Sequence, residues 1–147
     1  MIQGIEPVLQ LLLAAVLGGI LGLEREYGKK EAGLRTYILV AMGSALFTII
    51  AREFVFRFSA SQNISLDPLR TIQAIAIGIG FIGSGLIIFR RDHIEGLTTA
   101  AGLWLVAAIG VAVGFKLYIL ASFATLFGVL TLTGLYLIEK IIFRTKK

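Results

Sequence analysis

Cysteine is missing from this chain, and histidine occurs once, at His93. Disulfides, thiolate catalysis and cysteine-based zinc or iron–sulfur sites are therefore excluded. A histidine cluster cannot form from one residue. Charge is also scarce, at 16% of 147 residues, against 57% hydrophobic residues. Five stretches carry no Asp, Glu, Lys or Arg at all: 7–23, 36–51, 71–89, 96–115 and 117–138. An ordinary soluble domain pairs each apolar stripe with a charged face, and these runs leave no room for one. Disorder is excluded too, because there is ample apolar surface to bury.

What remains is long apolar sequence with a mean hydropathy of +0.90. The uncharged runs take up 94 residues, each run 16 to 22 long. A spanning helix needs about 17–25 mostly apolar residues. The expectation is an all-α, polytopic membrane protein: one transmembrane domain over 1–147, with five helices in a compact bundle. The predicted spans are 7–23, 34–51, 69–89, 97–115 and 117–138. Residues Met1–Pro7 include Glu6 but no Lys or Arg, so the N-terminus lacks the positive region of a cleavable signal.

The net charge is +5, with 14 basic and 9 acidic residues. In a soluble domain that balance would suggest nucleic acid. Here the basic residues cluster in loops, so no nucleic-acid partner is expected and anionic membrane lipids are. Arg25, Lys29, Lys30, Arg35, Arg90, Arg91, Lys140, Arg144, Lys146 and Lys147 fall on one side of the predicted topology. Arg52, Arg57, Arg70 and Lys116 fall on the other. Ten against four predicts an N-terminus outside and a C-terminus in the cytoplasm.

Between spans two and three, Phe54, Phe56 and Phe58 interleave with Arg52 and Arg57, which suggests a helix extension or an interfacial piece. Asp67-Pro68 reads as the N-cap and first residue of the third helix. Gly33-Leu34-Arg35-Thr36 and Gly96-Leu97-Thr98-Thr99 open spans two and four alike, as a parallel repeat would.

Gly78, Gly80 and Gly83 satisfy the G-x-G-x-x-G spacing. A dinucleotide site needs a preceding strand and a helix opening at the glycines. This match lies inside an uncharged run, so close helix packing, joined by Gly85, is the better reading. Gly18 and Gly22 give a second small-residue ridge on span one, with Ala14. Gly110 and Gly114 give one on span four. Helix contact within the chain is the first expectation for these ridges, and a homo-oligomer interface the second.

Gln73 lies one helical turn from Arg70, so both should face protein, a cleft or the headgroups. Glu24, Arg25 and Glu26 close span one. Arg35 and Thr36 open span two, and Thr98 and Thr99 open span four. Anchoring and capping explain such groups, and so does a coupled polar site at one membrane level. No carboxylate, cation or histidine lies within an uncharged run, so no metal site, cofactor or catalytic residue is predicted.

The motifs Leu21-Gly22-Leu23-Glu24-Arg25-Glu26, Gly33-Leu34-Arg35-Thr36, Asp67-Pro68 with Arg70 and Gln73, Gly78 to Gly85, and Gly96 to Ala101 followed by Trp104 occur in order. Over roughly residues 15–115 they resemble the MgtC/SapB family of bacterial membrane proteins. The resemblance implies a five-helix inner-membrane domain linked to growth in low magnesium, survival in host cells and restraint of the rotary ATP synthase. It implies a functional set of Glu24, Arg25, Glu26, Arg35, Thr36, Arg70, Gln73, Thr98 and Thr99. MgtC-type members add a soluble C-terminal domain, and this chain is expected to comprise the membrane part alone. The expected function is non-enzymatic regulation of a partner membrane protein in magnesium limitation or stress. The alternative is an oligomeric transporter or channel for a small ion or solute, Mg²⁺ included.

Overall fold

The computed structural model describes residues 4–58, 67 and 69–134. Its elements in chain order are α1 (Glu6–Tyr27), α2 (Leu34–Phe58), α3 (Leu69–Ser84), β1 (Ile88–Phe89), β2 (Ile94–Glu95), α4 (Leu97–Gly114) and α5 (Tyr118–Val129). A single π-helical turn, Leu130–Gly134, continues α5. The all-α architecture matches the apolar runs. α1, α2 and α4 are long and apolar enough to cross a membrane, whereas α3 and α5 are shorter apolar helices.

Local chemistry sets several of the helix ends. Pro7 stands in the first turn of α1, where a missing N–H costs no helical bond. The Glu26 carboxylate accepts from Leu34 N at 3.0 Å and so caps α2. Asp67 Oδ1 accepts from Leu69 N at 2.9 Å, in the capping position expected of it; Pro68 lies outside the described residues. α2 runs on through Arg52 and Phe56 to Phe58, so the connecting segment begins as a helix extension.

The third element departs from expectation. Its uncharged run reaches residue 89, but the helix stops at Ser84. There the Ser84 hydroxyl donates to the Phe81 carbonyl at 2.7 Å. Gly85 N donates to both Phe81 O and Ile82 O, and Leu86 N tightens to Gly83 O at 3.1 Å. Backbone bonds of that three-residue type mark an unwinding last turn. The chain then forms a two-stranded antiparallel hairpin, pairing Ile88 with Glu95 and Phe89 with Ile94.

α4 is the centre. It is apolar all round, as a helix must be when protein surrounds it, and Leu103, Val106, Ile109 and Val113 are fully or almost fully buried. α1 and α2 pack along each other, α2 packs along α4, and α5 covers α4 from another side. α3 lies on α4 and meets α2 only sparsely. Lys116, in the left-handed region at φ 64°, turns the chain tightly from α4 into α5. Leu12, Phe47, Ile77, Phe81, Trp104, Ile119 and Phe127 point outward, which in lipid costs nothing.

Glycine permits this close packing. A Cβ on Gly18 would meet Ala41 Cβ at 2.6 Å and the Tyr37 carbonyl at 2.8 Å, and one on Gly22 would meet Leu34 Cα at 2.8 Å. One on Gly110 would press on the Ala41 carbonyl, and one on Gly114 would meet Thr48 Cβ at 2.5 Å. Gly102 makes room for the Tyr37 hydroxyl, and Gly128 lies against Leu21 and Leu105.

Candidate functional site

The two ends of the bundle carry different chemistry. Glu24 marks one, near the α1–α2 turn, and Gln10 marks the opposite one.

At the Glu24 end, a polar pocket of about 820 Å³ opens between the end of α1, the start of α4, the β2 strand and the π-helical turn. Glu24, Arg25, Thr98 and Thr99 line it, together with Lys30, Glu31 and Glu95. Arg25 is only 4% exposed, and its Nε donates to Glu24 Oε2. Thr99 is buried, and its hydroxyl donates to Glu31 Oε2 at 2.6 Å. That bond holds the Glu31 carboxyl below its ordinary range. Glu95 also borders the pocket. His93 Nε2 and Arg90 Nε, each 3.0 Å away, hold its carboxyl low in turn.

The other expected residues are not gathered there. Glu26 serves as the α2 cap. Arg35 is exposed, and Thr36, one residue on, belongs to a different feature. Arg70 and Gln73 are exposed on the first turns of α3, toward the Gln10 end.

That second feature is a lateral groove of about 950 Å³ between α2 and α3. Thr36 lies at one end, and Asp67 and Arg70 at the other. Its walls are apolar, among them Leu39, Val40, Phe47, Ile75 and Ile82. Gly43 on α2 and Gly78 on α3 both line it, and among the described residues neither has anything within 4 Å of a notional Cβ. Gly80 is equally open. Gly83 makes ordinary contact with Ala100 Cβ at 3.4 Å, and Gly85 touches only its own turn, at Ile82 O. The glycines of α3 thus do not repeat the tight packing of α1 and α4 within this chain.

Two buried residues escaped the sequence reading. Gln10 is 2% exposed, and its Nε2 donates to the Val113 carbonyl at 2.7 Å. Arg52 donates to the Gln10 amide oxygen at 3.2 Å and to the Gly114 carbonyl. Together they satisfy the Gly114 carbonyl, the last of α4, and add a second donor to Val113 O, which already accepts Lys116 N. Beside them Lys116 pairs with Glu6 at 2.6 Å. Tyr37 is fully buried, with its hydroxyl 3.4 Å from the Thr99 carbonyl. Gln10 could have been noticed as the one amide in an uncharged run of α1. Nothing local marks Tyr37.

Among the described residues, no group of three or more His, Asp or Glu is placed to hold a metal ion. No solved structure matches the chain. Among curated proteins, it is 40% identical over 139 residues to a protein of Escherichia coli K12 named putative magnesium transporter YhiD, covering 95% of this chain and 63% of that one. It is 42% identical to protein SrpB of Synechococcus elongatus, over 90% of this chain and 76% of that one. It is 40% identical to protein SapB of Bacillus subtilis, over 76% of this chain and 48% of that one. The chain thus spans less than two thirds of YhiD and about half of SapB. The MgtC family pattern matches residues 11–141, nearly the whole of the sequence, and this membrane protein belongs to the MgtC family.

Proposed function

We propose that the chain is a non-enzymatic regulator in the bacterial inner membrane that receives a transmembrane helix of a partner protein in the α2–α3 groove. The supporting observation is the groove itself. It is apolar along its length, opens sideways, and has two glycines, Gly43 and Gly78, with free space above them. Helices in lipid associate where small residues let backbones approach. The N-terminus lies outside and the C-terminus in the cytoplasm, following the loop cations. Adaptation to low magnesium or stress is the setting, and the rotary ATP synthase the partner, that the family resemblance suggests.

The absence of cysteine makes the test direct. Single Gly43→Cys and Gly78→Cys variants should crosslink to a different membrane protein in native membranes, and Val8→Cys on the exposed face of α1 should not. Adducts only between copies of this chain would overturn the partner reading and make the groove a homo-oligomer interface.

One observation favours a second reading, transport of Mg²⁺ or another small solute. The name given to YhiD speaks of magnesium transport, and the polar pocket at the Glu24 end carries carboxylates. Mg²⁺ flux through purified protein in sealed liposomes, abolished by Glu31→Gln, would establish it in place of the first.

A further inference from the structure

On α2, Gly43, Phe47, Ile50 and Phe54 line the lateral groove, and on α3, Ile75, Gly78 and Ile82 do. Both series step by three and four residues, the repeat by which one helix seats its side chains between those of another. The α2 wall runs from Thr36 to Val55. At about 1.5 Å per residue that is about 28 Å, close to the roughly 30 Å of a bilayer's hydrocarbon core. A lipid acyl chain reaches through one leaflet, about half that depth. A spanning helix matches both the repeat and the length.

The groove is charged at its Gln10 end. Arg70, in the first turn of α3, lines the mouth there and is exposed, with no ion pair or side-chain hydrogen bond among the described residues. Arg57, in the last turn of α2, is likewise exposed and unpaired among them. Asp67 stands at the same mouth, but its Oδ1 caps α3, and the positive end of that helix offsets its charge. The helix start does nothing for the Arg70 cation, which gains from a carboxylate outside the chain. A second copy of this chain does not supply one. Among the described residues the carboxylates at this end are Glu6, paired with Lys116, Glu53, which is half-buried, and Asp67 itself. Arg70 precedes Gly78, where the wall stands open, by eight residues, about 12 Å along α3.

We infer, resting on the reading of the groove as a helix receptor, that the helix received there carries an Asp or Glu paired with Arg70, about two turns from the point where its backbone crosses Gly43 and Gly78. The glycines set the closeness of approach, and Arg70 selects which apolar helices stay and fixes their register. Electrostatic complementarity of this kind excludes wrong partners more than it adds raw affinity.

The test uses the whole chain with Gly78→Cys as its single cysteine, in phosphatidylcholine vesicles. The probes are synthetic leucine–alanine helices of about 20 residues, each with a central cysteine and with Glu, Gln or Lys about eight residues from it. Disulfide crosslinking should favour the Glu helix over the other two by roughly tenfold. Adding Arg70→Glu should invert the preference to the Lys helix, whereas Arg35→Glu, at an exposed cation outside the groove, should leave it unchanged. Should Arg70→Glu fail to fold, Arg70→Gln should abolish the preference without inverting it. Equal crosslinking by all three helices, or a preference that survives Arg70→Glu, would overturn this inference and leave the groove a receptor for helices. Loss of the preference on adding phosphatidylglycerol would overturn it as well, making a lipid headgroup the partner of Arg70. No crosslink from any helix to Gly78→Cys or to Gly43→Cys would overturn the receptor reading together with it.

Discussion

Arg52 on α2 reaches across to Gln10 on α1, donating to its amide oxygen at 3.2 Å, while the Gln10 amide nitrogen donates to the Val113 carbonyl on α4 at 2.7 Å. Three helices are thereby tied through one amide at one end of the bundle. Each partner satisfies a group that lipid could not.

Replacing Gln10 by Leu keeps the volume and removes both bonds. Val113 O keeps its bond from Lys116 N, but a buried tie between α1, α2 and α4 is lost, so the change is expected to lower stability by about 1–3 kcal/mol. Arg52→Ala should cost a similar amount, and the double variant less than the sum, because both act on the same carbonyls. Unfolding in mixed micelles measures all three.

Glycines should divide by their surroundings. Gly110→Ala drives a Cβ into the Ala41 carbonyl, a backbone atom that cannot step aside, and should destabilise by about 1–3 kcal/mol or more. Gly78→Ala meets nothing among the described residues and should leave thermal stability unchanged or slightly raised, since alanine favours helix. Melting curves of the two variants in the same detergent provide the comparison.

Tyr37 separates packing from hydrogen bonding. Its hydroxyl contact with the Thr99 carbonyl is long, at 3.4 Å, so Tyr37→Phe should cost no more than about 1 kcal/mol. Tyr37→Ala empties a fully buried site between α1, α2 and α4 and should cost about 3–5 kcal/mol. Equal losses in the two variants would show that the bond, not the ring, matters.

Acid should loosen the Glu24 end first. The Glu95 carboxyl is held below its ordinary value of 4.5 by hydrogen bonds from His93 and Arg90, and that of Glu31 by the Thr99 hydroxyl. A depressed carboxyl stabilises the fold above its unfolded value and loses that contribution as pH falls through the folded one. Protection of the Arg90 amide, which closes the hairpin onto His93 O, should therefore hold at neutral pH and fall below pH 4.5. Hydrogen exchange across that range follows it. A Glu95→Gln chain should show no such step.

The sequence makes the close helix contacts plain where small residues repeat along one face. Gly18 with Gly22, and Gly110 with Gly114, stand where a four-residue spacing puts them, against Ala41, Leu34 and Thr48 of α2. The Glu24, Arg25 and Thr99 cluster was legible because all three lie beside breaks in apolar sequence. The hairpin at residues 88–95 was not, since lack of charge reports compatibility with lipid and not backbone geometry. Gln10 meets residues 103 and 104 positions away, a relation no local pattern encodes. Gly78 and Gly80 lie in an uncharged run like the packed glycines, yet α3 diverges from α2, and the tertiary arrangement leaves them open.

The short hairpin ties the loosest helix to the most polar corner of the molecule. α3 leans on α4 and leaves α2 largely untouched, while Glu95 and Gly96, at the far end of the hairpin, form part of the pocket wall. A tilt of α3 that widened or narrowed the lateral groove would pull on that wall, because few residues intervene to absorb the movement. A change in the tilt of α3 would thus be felt at the side of the bundle and at its polar corner together, through one short segment of chain.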